Sequence, residues 1–146
     1  MAKFKFSLKS VEKYRNIALD ESKGKYAKAV ADVNAQNELI AKVVEELTEV
    51  NRELNQRNSE GITILEYQGY KRYIKILENK IKEEEEKLYS LQKVEQGRRK
   101  EMVIAKTDVM SIEKLREKSF EEFTKEETKK EELAIDEFVS NQLLGR

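Results

Sequence analysis

GITILEYQGYKRYIKILENKIKEEEEKL, residues 61–88, decides how the chain folds. It begins with Gly61 directly after the polar run NQRNSE, residues 55–60. Asn and Ser compete with helical hydrogen bonding, and Gly tolerates turn geometry. A reversal of the chain is therefore predicted at about 56–62. Beyond it, Tyr67, Tyr70, Ile74, Leu77, Ile81, Glu84, Leu88 and Leu91 recur in alternating steps of three and four. That spacing draws one narrow stripe along a coiled-coil helix. The stripe weakens at Glu95 and Arg98 and returns at Met102, Ala105, Val109 and Ile112. Gly69 and Gly97 lie within this helix, each costing about 1 kcal/mol relative to alanine. They mark weak points rather than ends.

The same pattern runs upstream. Tyr26, Val33, Ile40, Leu47 and Leu54 form one heptad set, and Ala29, Gln36, Val43 and Val50 the interleaved one. Leu8, Val11, Arg15 and Ala18 follow similar spacing in a slightly shifted frame, with Ser7 as a candidate N-cap. A helix–helix connection this short implies antiparallel neighbours. Reversal near residue 60 sets Leu54 beside Tyr67 and Tyr26 beside Glu95, and carries the N-terminus to Ile112–Leu115. The polar stripe positions Gln36, Glu84, Glu95 and Arg98 are candidates for fixing register. The expected architecture is all-α and a single domain over 1–146. It is a coiled-coil hairpin of helix 1 (about 7–55), a turn (56–62), a longer helix 2 (63–140) and a tail (141–146). A second helix from 63 to 139 spans about 115 Å at 1.5 Å per residue, so its end is an overhang expected to fray unless bound.

Composition points the same way. Charged residues make up 40% and hydrophobic residues 38% of the 146, with no Pro, Trp, Cys or His. So polar a chain is either long helix or disordered, and regular apolar spacing without proline favours helix. Absence of His and Cys excludes imidazole and thiolate catalysis and metal sites of those ligands, leaving only carboxylate sites for hard cations. The absence of Cys fits a reducing compartment. MAKFKFSLKS lacks the apolar centre of a signal peptide, and no apolar run reaches membrane-span length. A cytoplasmic protein without direct membrane insertion is expected.

Net charge is zero, but its distribution is uneven. Residues 1–30 hold eight Lys/Arg against three Asp/Glu, and residues 91–120 eight against five. Residues 31–60 hold three against seven, and 121–146 four against eight. Folding back brings the two basic blocks to the open end, followed by the acidic FEEFTKEETKKEELAIDEF. Gly97-Arg98-Arg99-Lys100 is a small basic cluster, but zero net charge and no aromatic interleaving argue against nucleic acid. Glu83–Glu86 point about 100° apart around a helix and form a solvated face with Lys80, Lys82 and Lys87 as partners. No phosphate-binding glycine loop is present.

Two features suit partners. Tyr67 and Tyr70 fall on the stripe, while Tyr73 and Lys80 flank it beside Leu77 and Glu84. Tyr73 reads equally as core flank or as a docking contact, since tyrosine favours interfaces. Leu133, Ala134, Ile135, Phe138 and Val139 are apolar at helical spacing where the hairpin provides no cover. Such exposed stripes mark partner surfaces, a second copy being the simplest partner.

Three stretches together resemble the FliJ family, small coiled-coil components of the bacterial flagellar type III export apparatus. KFKFSLKSVEKYRNIALDE is similar to the family's F-x-F-x-L start. GITILEYQGYKRYIKILENKI is similar to its G-I…Y-x-x-[FY]-I-x-x-L-x-x-x-I block, and KKEELAIDEF to its closing segment. The resemblance implies an antiparallel hairpin like the gamma-subunit stalk of rotary ATPases. It implies no enzymatic activity and no cofactor. Its implied partners are the ring of the export ATPase FliI, the cytoplasmic domain of the export gate FlhA, export chaperones and FliH, with the protein monomeric at the flagellar base on the inner face of the membrane. On this sequence the ring-docking end carries Leu8, Val11, Arg15, Leu133 and Phe138. The gate-docking positions fall on Tyr73, Leu77, Lys80 and Glu84, the last two standing where the family has a small apolar and a polar residue. Two other functions fit the same residues: an export chaperone or adaptor holding cargo, and a purely structural coiled-coil dimer.

Overall fold

The computed structural model describes residues 2–145 and contains two helices, α1 (Lys9–Glu60) and α2 (Ile64–Leu144), with no strand among the described residues. The helices pack against each other as a hairpin coiled coil, and the second is the longer. The end residues of the expected 1–146 span, Met1 and Arg146, lie outside the described residues.

The reversal is shorter than the polar run suggests. α1 continues to Glu60, so residues 56–60 are helical, and only Gly61, Ile62 and Thr63 connect the helices. The stop is set by Gly61, whose φ of 106° ends the helix in the left-handed region. Its N–H donates to the Arg57 carbonyl at 3.0 Å, closing the last turn as a glycine C-cap does. The restart is set by Thr63. Its Oγ1 accepts from the Glu66 N–H at 3.2 Å and its carbonyl accepts from Tyr67 N–H at 3.0 Å, the N-cap arrangement. At the start of α1 the first intrahelical acceptor is the Leu8 carbonyl, bonded by Glu12 N–H at 2.9 Å. The cap position is thus Leu8 and not Ser7.

The chain divides into two compact units, Ser22–Glu101 and Met1–Glu21 with Met102–Arg146. In the Ser22–Glu101 unit, Tyr26, Ala29, Val33, Gln36, Ile40, Val43, Leu47, Val50 and Leu54 are all buried or half-buried. So are Tyr67, Tyr70, Ile74, Leu77, Ile81, Glu84, Leu88, Leu91, Glu95 and Arg98. Both expected stripes therefore form one seam. The antiparallel register is fixed by Gln36, which donates to Glu84, and by Tyr70 and Tyr73, which donate to Glu53 and Glu46.

In the other unit the seam keeps Arg15 and Ala18 of the expected frame, both half-buried, but not Leu8 and Val11. Leu19 is buried, and the seam passes through Arg15 and Glu12, whereas Val11 is exposed. Glu12 takes the inward position because Arg116 meets it from α2 at 3.0 Å. Leu19, Val109 and Ile112 are buried in this unit. The N-terminal segment reaches beyond Ile112–Leu115: the Phe4 ring lies 5.3 Å from Phe120 and 5.5 Å from Phe123, centroid to centroid. Residues 2–6 are not helical, and extended chain advances about 3.3 Å per residue against 1.5 Å in a helix. Half-buried side chains continue to Ser119, Phe123 and Glu127, and every residue from 128 to 145 is exposed. α2 nevertheless runs to Leu144, past the expected end near 140.

Candidate functional site

In the Ser22–Glu101 unit, helical spacing places Tyr73, Leu77, Lys80 and Glu84 along two adjacent lines of α2. Leu77 and Glu84 lie in the seam, 4% and 9% exposed. Tyr73 is 40% exposed, and Lys80 is exposed. The four thus form an outer pair resting on an inner pair rather than one flat contact surface.

Two of the four are held by hydrogen bonds to α1. The Tyr73 hydroxyl donates to the Glu46 carboxylate of α1. That bond needs the phenol proton, so the Tyr73 pKa is raised above the ordinary tyrosine value. Gln36 Nε2 donates to Glu84 Oε2 at 2.6 Å and to the Glu84 carbonyl at 2.9 Å. This bond favours the carboxylate and lowers the Glu84 pKa, against the opposing effect of burial; Lys87 at 3.4 Å and the charge of Lys80 add to the lowering. Nearby, Tyr70 donates to Glu53 Oε1 at 3.2 Å and accepts from Arg57 Nη1 at 3.3 Å. Beside this row, Gly69 leaves a shallow groove of about 310 Å³ lined by Glu66, Gly69, Tyr70 and Tyr73. Ile64, Leu65 and Ile76 are also largely exposed on this unit. Ile76 stands next to the stripe residue Leu77, and Ile64 and Leu65 precede the first stripe residue, Tyr67, so periodicity did not mark them.

In the other unit, Leu8 and Val11 are 37% and 38% exposed. Arg15 Nη1 pairs with Asp108 Oδ2 at 3.0 Å, with both side chains partly open to solvent. Leu133 and Phe138 are 62% and 64% exposed, so neither is covered by α1. The structure therefore joins Arg15 to α2 and leaves Leu133 and Phe138 on an unpartnered stretch of helix that also exposes Ile135, Val139, Leu143 and Leu144. A hollow of about 340 Å³ lies between the N-terminal segment and the helices, lined by Phe4, Lys5, Phe6, Lys9, Glu12 and Arg116. The aromatic cluster that closes this end was not foreseen. Its signal was the pair Phe4 and Phe6 with Phe120 and Phe123 at the far end of the chain.

Chemically, these arrangements suit association. Among the described residues no group of three or more His, Cys, Asp or Glu is placed to hold a metal ion. No helix among them is long and apolar enough to cross a membrane.

The family model described as Flagellar FliJ protein matches residues 4–146. No protein with a curated description matches the chain. A solved structure of a proposed YscO homolog from Chlamydia trachomatis is similar at a TM-score of 0.57 and 22% identity, covering 97% of this chain and 95% of that one. At that identity the likeness is one of fold.

Proposed function

This chain belongs to the flagellar FliJ protein family and is a component of flagellar type III export, and from that membership we propose that it is a non-enzymatic stalk linking the export ATPase to the export gate. It acts as one coiled-coil domain, as a monomer in the cytoplasm at the flagellar base. One end docks in the ring of FliI through Leu8, Val11, Arg15, Leu133 and Phe138. The other contacts the cytoplasmic domain of FlhA through Tyr73 and Lys80, with Leu77 and Glu84 holding those two in place from the seam. FliH and export chaperones are further partners of the same assembly.

The observation that carries the ring contact is the bare end of α2. Residues 128–145 are exposed throughout, with Leu133, Ile135, Phe138, Val139, Leu143 and Leu144 open to solvent. Apolar side chains grouped on an uncovered helix mark a partner surface. The test is ATP hydrolysis by the cognate export ATPase titrated with this protein. Saturable stimulation that disappears on removal of residues 121–146, and weakens with Phe138→Glu, is the expected result. No stimulation by protein shown to be helical by circular dichroism would turn the assignment toward an export chaperone or adaptor. The same uncovered stretch suits a second copy of the chain. A mass that doubles with concentration, together with rising stability, would favour that reading over the monomeric stalk.

A further inference from the structure

α1 and α2 each carry a glycine at one level of the Ser22–Glu101 unit. Counting outward from the Gln36–Glu84 hydrogen bond, twelve residues back along α1 reach Gly24 and thirteen forward along α2 reach Gly97. Antiparallel helices rise equally, so the two glycines stand level to within about 1.5 Å. Gly69 has no such counterpart, because residues 51–54 opposite it include no glycine.

Packing does not require glycine at either place. A Cβ on Gly24 or Gly97 would meet nothing within 4 Å. Nor does backbone geometry: among the described residues the positive φ belongs to Gly61. What glycine contributes inside a helix is backbone freedom, and Gly/Ser pairs are among the sites where helices bend. Ser22 stands two residues from Gly24.

The α2 side of the seam is also less covered here: no α2 residue between Glu84 and Val109 is buried, although Leu19, Ser22, Ala29 and Val33 of α1 are. Glu95 and Arg98 occupy the seam positions, half-buried, at the level of Tyr26 and Ser22. Arg98 pairs with Glu101 of its own helix at 3.1 Å.

We infer that Gly24 and Gly97 form a paired hinge, one glycine in each helix, at the end of the Ser22–Glu101 unit. Two soft points at one level let both helices bend together, whereas a single glycine would be splinted by its intact neighbour.

The full chain has no cysteine, so introduced pairs take spin labels cleanly. Double electron–electron resonance between labels at Glu85→Cys and Glu113→Cys, one in each unit and both exposed, reads the spread of distances across the hinge. A pair at Lys42→Cys and Glu85→Cys, both within one unit, is the control. The expected result is a broad distribution for the first pair that narrows to the control width when Gly24→Ala and Gly97→Ala are added. A native distribution as narrow as the control overturns the hinge. So does a broad distribution that the two alanines leave unchanged. No binding partner enters the measurement, so failure of the docking assignments leaves the outcome unaffected.

Discussion

Leu77→Ala separates the seam from the surface. Leu77 is 4% exposed, among the most buried side chains of the chain. The substitution removes three carbons, about 2.4 kcal/mol of transfer free energy at about 0.8 kcal/mol each. A deep core would add a cavity contribution and reach as much as about 5 kcal/mol. Here the seam is one layer thick, and among the described residues no side chain is less than 2% exposed, so solvent and neighbours close on the gap. The expected loss is therefore about 2–3 kcal/mol, or roughly 10–20 °C in melting midpoint for a unit of this size. Tyr73→Ala, at 40% exposure, loses the hydroxyl bond to Glu46 and a ring contact at the edge of the seam, so the hairpin should stay folded. Circular dichroism melts and urea titrations measure both. The two should diverge in gate binding as well: Tyr73→Ala weakens it while the hairpin stays folded, whereas Leu77→Ala weakens it only near its own melting range. A Leu77→Ala chain that melts like the native protein yet loses gate affinity at low temperature would falsify the placement of Leu77 inside the seam.

Gly97→Ala and Gly24→Ala, with open space around each Cβ, should each stabilise the chain by about 1 kcal/mol, read as a rise in the urea midpoint with unchanged slope. Acid should weaken the Gln36–Glu84 contact. The folded pKa of Glu84 is depressed, so its contribution is present above the ordinary carboxylate value of 4.5 and is lost as pH falls through the lowered value. Glu84→Gln should flatten the stability profile below that ordinary value, and an unaltered profile would show that other carboxylates govern it. Tyr73 has the opposite sign: its raised pKa means the contribution is full below the ordinary value of 10.0 and lost as pH rises through the folded one, which the ultraviolet titration of Tyr73→Phe against the native chain would reveal. Phe4→Ala removes two ring contacts of about 0.5–1.5 kcal/mol each. It should speed proteolysis within residues 2–6 while leaving the helical signal unchanged.

The heptad stripes were legible because a coiled coil is a one-dimensional solution to burial. Each seam position is decided by spacing along its own helix, so Tyr26 through Leu54 and Tyr67 through Ile112 could be placed without knowing what they face. Reading failed where the decision belonged to two helices at once. Val11 looks like a seam residue, yet Glu12 takes the inward position because Arg116 waits opposite. Ser22 and Leu19 continue the Tyr26 frame by steps of four and three, but a serine gives no hydrophobic signal and the apolar Val11 drew the frame aside. Among the gate candidates, spacing put Leu77 and Glu84 on the stripe and Tyr73 and Lys80 beside it. It did not show that Gln36 would meet Glu84 directly.

By itself, then, the sequence determined the two helices, their break beside Gly61, the seam residues from Tyr26 to Leu54 and from Tyr67 to Ile112, and the uncovered apolar end, all consequences of local propensity and periodicity. The tertiary structure alone decided which residues meet: Gln36 with Glu84, Arg15 with Asp108, and Phe4 with Phe120 and Phe123. A reversal near residue 60 already sets Tyr26 level with Glu95, and the connection at Gly61–Thr63 keeps that register; which side chains bond across a level depends on both helices at once, and spacing along one helix cannot supply it.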